Sequence, residues 1–156
     1  MRKYYYVEDA IPEKDCDDFL NYHSKNKFEG AKLGDGASKE EQEKHRQSEV
    51  QWLPPNNVMV RAVWSYVKEL NEHHFKANLT GYGQVQFTKY ESNGDNYKWH
   101  KDSNYTNDKI QRKLSTVLQL SKPEDYKGGE VQLFNGIHEP DKLPRTQGSL
   151  VIFKSE

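Results

Sequence analysis

The 156 residues carry 23 Lys and Arg against 24 Asp and Glu, a net charge of −1; the signs are interspersed, and without a basic stripe a nucleic-acid partner is not expected. Only 33% of residues are hydrophobic, but ten Tyr and three Trp bury large areas while keeping a polar handle, so a single domain over 1–156, shallow and β-rich with a wet cleft, is expected. The lone Cys16 excludes a disulfide framework, and no stretch reads as a signal peptide or a membrane span, so a cytoplasmic location is expected.

In chain order, "KYYYV" is a short β-prone run. "EDAIPEKDCDDFLNYHSKN" follows as an amphipathic helix, with Pro12 in its first turn and acidic residues at the positive end of its dipole. Cys16, Phe19, Leu20 and His23 form its apolar stripe, on which His23 is a packing residue. Residues 25–45 have glycines, small residues and charges without a sustained period, so they read as a mobile loop or a lid. "HRQSEVQWL" is a strand stopped by Pro54 and Pro55. "NNVMVRAVWSYVKELNEHHFKAN" is a helix capped by Asn56 or Asn57, with Met59, Val63, Tyr66, Val67, Leu70 and His74 on one face. His73 and His74 at its end complement the dipole. Beyond "TGYG" the period changes to two. "QVQFTKY", "NYKWHKD", "RKLSTVLQLS" (Leu114, Thr116, Leu118 and Leu120 on one face), "GGEVQLF" and "GSLVIFK" are five strands separated by turns, an antiparallel sandwich or barrel.

His100 and Asp102 stand two apart in "NYKWHKDSNY". They are either an exposed pair on a turn or two ligands of a metal. In a strand, residues i and i+2 face one side, so an imidazole nitrogen and a carboxylate oxygen can meet at one point. A second His from a distant strand would complete a 2-His-1-carboxylate triad, the usual site of non-haem Fe(II) oxygenases. H-x-D alone is a weak signal; the strand order around it is more specific.

"VQFTKYESNGDNYKWHKD", then "RKLSTVLQLSKPEDYKGGEVQLF", then "GSLVIF", resemble the catalytic core of 2-oxoglutarate and Fe(II)-dependent dioxygenases. The branch most similar is the prolyl 4-hydroxylase-like one, including small bacterial and phage-type members, and the resemblance covers roughly residues 80–153. It implies an α+β, mainly β fold: a double-stranded β-helix, or jelly roll, with the N-terminal helices packed on one sheet. It implies Fe(II) on His100 and Asp102, Tyr90 bonded to a 2-oxoglutarate carboxylate, and O2 as oxidant with ascorbate as an accessory. Tyr97 would face substrate at the pocket mouth, with Arg46 and Trp52 as further substrate contacts. Trp99 would pack outside the barrel or touch substrate. The implied reaction couples decarboxylation of 2-oxoglutarate to hydroxylation of an unactivated C–H, foremost of a prolyl residue in a peptide or protein. Alternatives are the same chemistry on a free amino acid or small molecule, and a metal-free jelly-roll binding protein. The sequence does not give the oligomeric state.

In the family, the second iron His and a basic residue for 2-oxoglutarate follow the strand matched by "GSLVIF". Those positions fall past Glu156, so a polypeptide that continues beyond it is expected; the alternative is a fragment lacking activity, and a chain ending there is expected to bind iron weakly or not at all. His138 in a Pro-containing loop, His45 in the 25–45 segment and His23 on its packing stripe are poor substitutes.

Overall fold

The computed structural model describes residues 4–31, 38, 40–41, 46–91, 94, 96–103, 110–134, 136–137 and 139–156. Strand β1 (Tyr4–Val7) leads into helix α1 (Glu13–His23). Pro12 sits at the N-cap with φ −57° and ψ 142°, one residue earlier than the sequence suggests. Cys16 and Phe19 turn to the core. β2 (Glu29–Gly30), β3 (Arg46–Gln47) and β4 (Glu49–Leu53) follow. The 25–45 segment, read as irregular, thus contributes a strand. Ser38 and Glu41 also exchange backbone-to-side-chain bonds in the manner of a capping box. The rest of the expected lid lies outside the described residues.

Helix α2 (Val58–Leu70) is capped by Asn57, whose side chain accepts from Met59 N at 2.9 Å and Val60 N at 3.4 Å. The predicted helix does not run on to Asn78 as an α-helix. It widens into a π turn, Asn71–Phe75, that delivers Phe75 to the core and ends at Lys76 in the left-handed region, φ 54°. The Asn71 side chain closes this end by bonding both the N–H and the carbonyl of Ala77 at 2.9 Å. His74 stacks on Tyr5 with ring centroids 4.0 Å apart, a packing contact in addition to the expected dipole role.

The remaining strands are β5 (Val85–Lys89), β6 (Asn96–Tyr97), β7 (Leu114–Leu118), β8 (Gln132–Leu133), β9 (Asp141–Lys142) and β10 (Leu150–Lys154). One antiparallel sheet has the order β1-β10-β7, a second β2-β4-β5, and β3-β6 and β8-β9 form two-stranded pairs. All five predicted C-terminal strands are present, although two shrink to two residues each; β9 was not expected. In the first sheet, Ile152 pairs with Tyr5 and Thr116, and Leu150 with Val7 and Leu118. This face packs against α1 and α2 in a core of Ala10, Ile11, Cys16, Val67, Phe75, Leu150 and Ile152, with Leu114, Leu118 and Leu120 at its margin. Thr116 shares the face but is exposed. The opposite face carries Tyr4, Tyr6, Ser115, Val117, Val151 and Phe153 and is free to border a cleft. In the second sheet, Phe87 meets Phe19 of α1 edge-on at 5.2 Å, while Trp52 and Gln86 pair on the other face. Among the described residues no helix is long and apolar enough to cross a membrane.

Gly148 joins the N-terminal segment to the first sheet. Its carbonyl accepts from Ile11 N at 3.0 Å, its φ is +78°, and a Cβ there would lie 2.0 Å from the Ile11 carbonyl oxygen. Gly148→Ala combines a left-handed backbone with a clash against main chain. It is expected to destabilise the chain by about 2–4 kcal/mol. Urea unfolding checks this, with Asn57→Ala as a milder reference at about 1 kcal/mol.

Candidate metal centre

His100 and Asp102 do not lie in a strand. β6 stops at Tyr97, and residues 98–103 are irregular. The strand geometry expected to turn both side chains to one side is therefore replaced by local bonding, with the same outcome. His100 Nε2 lies 3.0 Å from Asp102 Oδ1, and the side chains are 36% and 21% exposed. On the other edge of the ring, His100 Nδ1 donates to the Lys98 carbonyl at 2.6 Å. The imidazole stacks on Tyr97 at 3.6 Å between centroids and 16° between planes. The Arg46 guanidinium carbon lies 4.6 Å from the centre of the same Tyr97 ring. Arg112 Nη1 stands 3.8 Å from Asp102 Oδ1.

Both imidazole nitrogens thus face acceptors, and only the doubly protonated ring can donate to both. The pKa of His100 is accordingly raised above its ordinary 6.5, chiefly by the hydrogen bond to Asp102, against an opposing burial effect and with support from the Lys98 carbonyl. For Asp102, burial pushes upward, but hydrogen bonds from His100 and Ser115 and the charges of His100 and Arg112 outweigh it, and its carboxyl is held below the ordinary 3.8. Burial raises the Tyr97 hydroxyl, with Arg46 opposing. Ser115 is itself buried and shares a 2.8 Å hydrogen bond with Ser155.

Arg46, Tyr97, His100 and Asp102 are therefore brought together. Tyr90 follows β5 and lines the same cleft. Trp52 also borders the cleft; it stands on β4 opposite Gln86, which accepts from Arg46 Nη2 at 2.9 Å. Trp99 is exposed and meets Phe134 edge-on at 6.0 Å. His23 stacks on Phe19 at 4.1 Å, the packing role expected of it. His45 and His138 lie outside the described residues. Among the described residues no group of three His, Cys, Asp or Glu side chains is placed to hold a metal. Sequence reasoning missed Arg112, Ser115 and Gln86. Ser115 alternates with Leu114 and Thr116, so its opposite facing was readable; the reach of Arg112 and Gln86 was not.

Residues 85–156 match the family model described as the 2OG-Fe(II) oxygenase superfamily. That segment, just under half of the chain, is similar to the superfamily's oxygenase domain. Comparison with curated protein sequences gives no match. Among solved structures it is similar to a prolyl-4-hydroxylase from Pseudomonas putida, with 19% identity, a TM-score of 0.67, and coverage of 99% of this chain and 82% of that one. A viral collagen prolyl hydroxylase from Paramecium Bursaria Chlorella virus-1, in its 2-oxoglutarate complex, gives 21% identity, a TM-score of 0.70, and coverage of 98% and 78%. A Trichoplax adhaerens prolyl hydroxylase, bound to a peptide fragment of the hypoxia inducible factor oxygen degradation domain, gives 17%, 0.77, and 98% and 73%. At these identities the likeness is one of fold.

The residues present suit the superfamily's metal. An imidazole nitrogen and a carboxylate oxygen facing one point are donors that Fe(II) accepts. The Lys98 carbonyl holds Nδ1–H, so the lone pair available to a metal is at Nε2, the nitrogen that faces Asp102.

Proposed function

We propose that the chain hydroxylates a prolyl residue in a peptide or protein, in a cleft between the two sheets of a double-stranded β-helix. The observation that supports this reading is the 3.0 Å convergence of His100 Nε2 and Asp102 Oδ1 within the segment that matches the oxygenase family. These two atoms would hold the iron. Bound iron would activate O2, the oxidant, with 2-oxoglutarate as the two-electron reductant; one oxygen atom would pass to succinate, the other to the substrate C–H, and carbon dioxide would leave. The protein's own part is orientation. The Lys98 carbonyl fixes the His100 tautomer, and Ser115 and Arg112 keep Asp102 ionised. In this reading the Tyr90 hydroxyl bonds a carboxylate of 2-oxoglutarate. Arg46, Trp52 and Tyr97 border the space in which an extended peptide lies. A peptide occupies the Trichoplax relative, which favours a peptide over a free amino acid.

The test is succinate release from 2-oxoglutarate with Fe(II), alone, with Pro-containing peptides and with free proline. A Pro-containing peptide is expected to stimulate release and to gain the mass of one oxygen atom. Stimulation by free proline and by no peptide would refute the peptide assignment while leaving the oxygenase intact.

A further inference from the structure

His100 is not held by a strand, so other contacts must set its ring. Three do: the Nδ1 bond to the Lys98 carbonyl at 2.6 Å, the Nε2 contact with Asp102 at 3.0 Å, and the stack on Tyr97 at 3.6 Å. A metal bound by both side chains takes over Nε2 and Oδ1, so the second contact is surrendered to it. What then fixes the imidazole is the Lys98 carbonyl, which anchors one edge, and Tyr97, which sets the plane.

Tyr97 is itself tied down. It pairs with Arg46 across β3 and β6, and the guanidinium lies 4.6 Å from its ring centre. Arg46 in turn donates from Nε to Ser48 Oγ at 3.0 Å and from Nη2 to Gln86 Oε1 at 2.9 Å. Gln86 stands on β5, in the second sheet. A continuous run of contacts thus leads from that sheet through Gln86, Arg46 and Tyr97 to the imidazole. β3 and β6 are only two residues long each, too short to align the segment by ladder bonds alone.

We infer that Arg46 and Tyr97 are positioning residues for His100: their stack ties the iron-ligating imidazole to the second sheet and sets its plane before any substrate arrives. This rests on the assignment of His100 and Asp102 as the iron pair. It differs from a substrate-contact role in a measurable way. A residue that only touches substrate leaves the metal site unchanged when 2-oxoglutarate and peptide are absent. A residue that orients a ligand alters it, and outer-shell partners of metal ligands typically change affinity by about 10–100-fold.

The experiment uses the full chain with Co(II) alone, followed by visible absorption, and proton NMR of the metal-free chain. Tyr97→Leu and Arg46→Met are expected to weaken Co(II) binding about tenfold or more. Tyr97→Phe retains a ring and is expected to restore binding close to that of the unsubstituted chain. In the metal-free chain the His100 ring protons are expected upfield under the tyrosine ring current, also in Tyr97→Phe but not in Tyr97→Leu. Co(II) binding indifferent to the residue at 97 would overturn the positioning role alone. An unsubstituted chain that shows the upfield shift but takes no Co(II) would sink the iron assignment, and the positioning role with it.

Discussion

Asp102→Ala is expected to abolish both metal binding and 2-oxoglutarate turnover while leaving the chain folded. Asp102 Oδ1 is one of the two donors that converge, and its carboxyl is held ionised by His100, Ser115 and Arg112. Its removal deletes the only anionic donor of the pair, so the loss in Co(II) or Mn(II) affinity should exceed about a hundredfold, the upper end for partners that merely support a ligand. His100 loses the hydrogen bond that chiefly raises its pKa, so its titration should move down toward the ordinary histidine range. The fold depends little on the pair. Both side chains are partly exposed, and neither belongs to the buried core on the other face of the first sheet. Unfolding free energy should change by roughly 1 kcal/mol or less, as for other partly solvated ion pairs. Metal titration and urea unfolding on one preparation separate the two effects. A variant that keeps native affinity would remove Asp102 from the site.

The second large effect is on pH. In the metal-free chain His100 is raised and Asp102 lowered, so each contributes stability over a different range. The His100 contribution is fully present below the ordinary 6.5 and is lost as pH rises through its higher folded value. That of Asp102 is present above the ordinary 3.8 and is lost as pH falls through its lower folded value. The pair therefore stabilises the metal-free chain most between about 3.8 and 6.5 and less at alkaline pH. Metal binding runs the opposite way, because the metal replaces the proton on Nε2. Below the raised pKa of His100, affinity should fall about tenfold per pH unit, with one proton released per metal bound, and above it the curve should flatten. Metal-induced stabilisation should consequently grow with pH until His100 is neutral. Thermal unfolding with and without Mn(II) across that range gives the readout. An affinity flat through the histidine range would mean that no imidazole proton is displaced.

Much of this organisation is legible in the residues. The stripe of Cys16 and Phe19, the Asn57 cap and the alternation of Leu114 and Leu118 express local periodicities that the tertiary structure keeps. The convergence of His100 and Asp102 was also foreseeable, though by another route. Spacing suggested a strand, whereas a Lys98 carbonyl and a tyrosine face orient the ring in irregular backbone. Arg46 and Tyr97 were legible as residues near the cleft because the resemblance places them there. Their contact with each other was not, since it depends on a two-residue strand pair that joins positions 51 apart in sequence. The π turn after Leu70 was equally hidden. Its reason is tertiary: Phe75 must reach the core and Asn71 must close on Ala77, neither of which leaves a mark on the helical period.

A crystal of the full chain soaked in Mn(II) and measured by anomalous diffraction tests the iron assignment most directly. The expected result is one strong anomalous peak within bonding distance of both His100 Nε2 and Asp102 Oδ1, with His100 Nδ1 still on the Lys98 carbonyl. A peak held by other side chains, or none at these two atoms under saturating Mn(II), would contradict it.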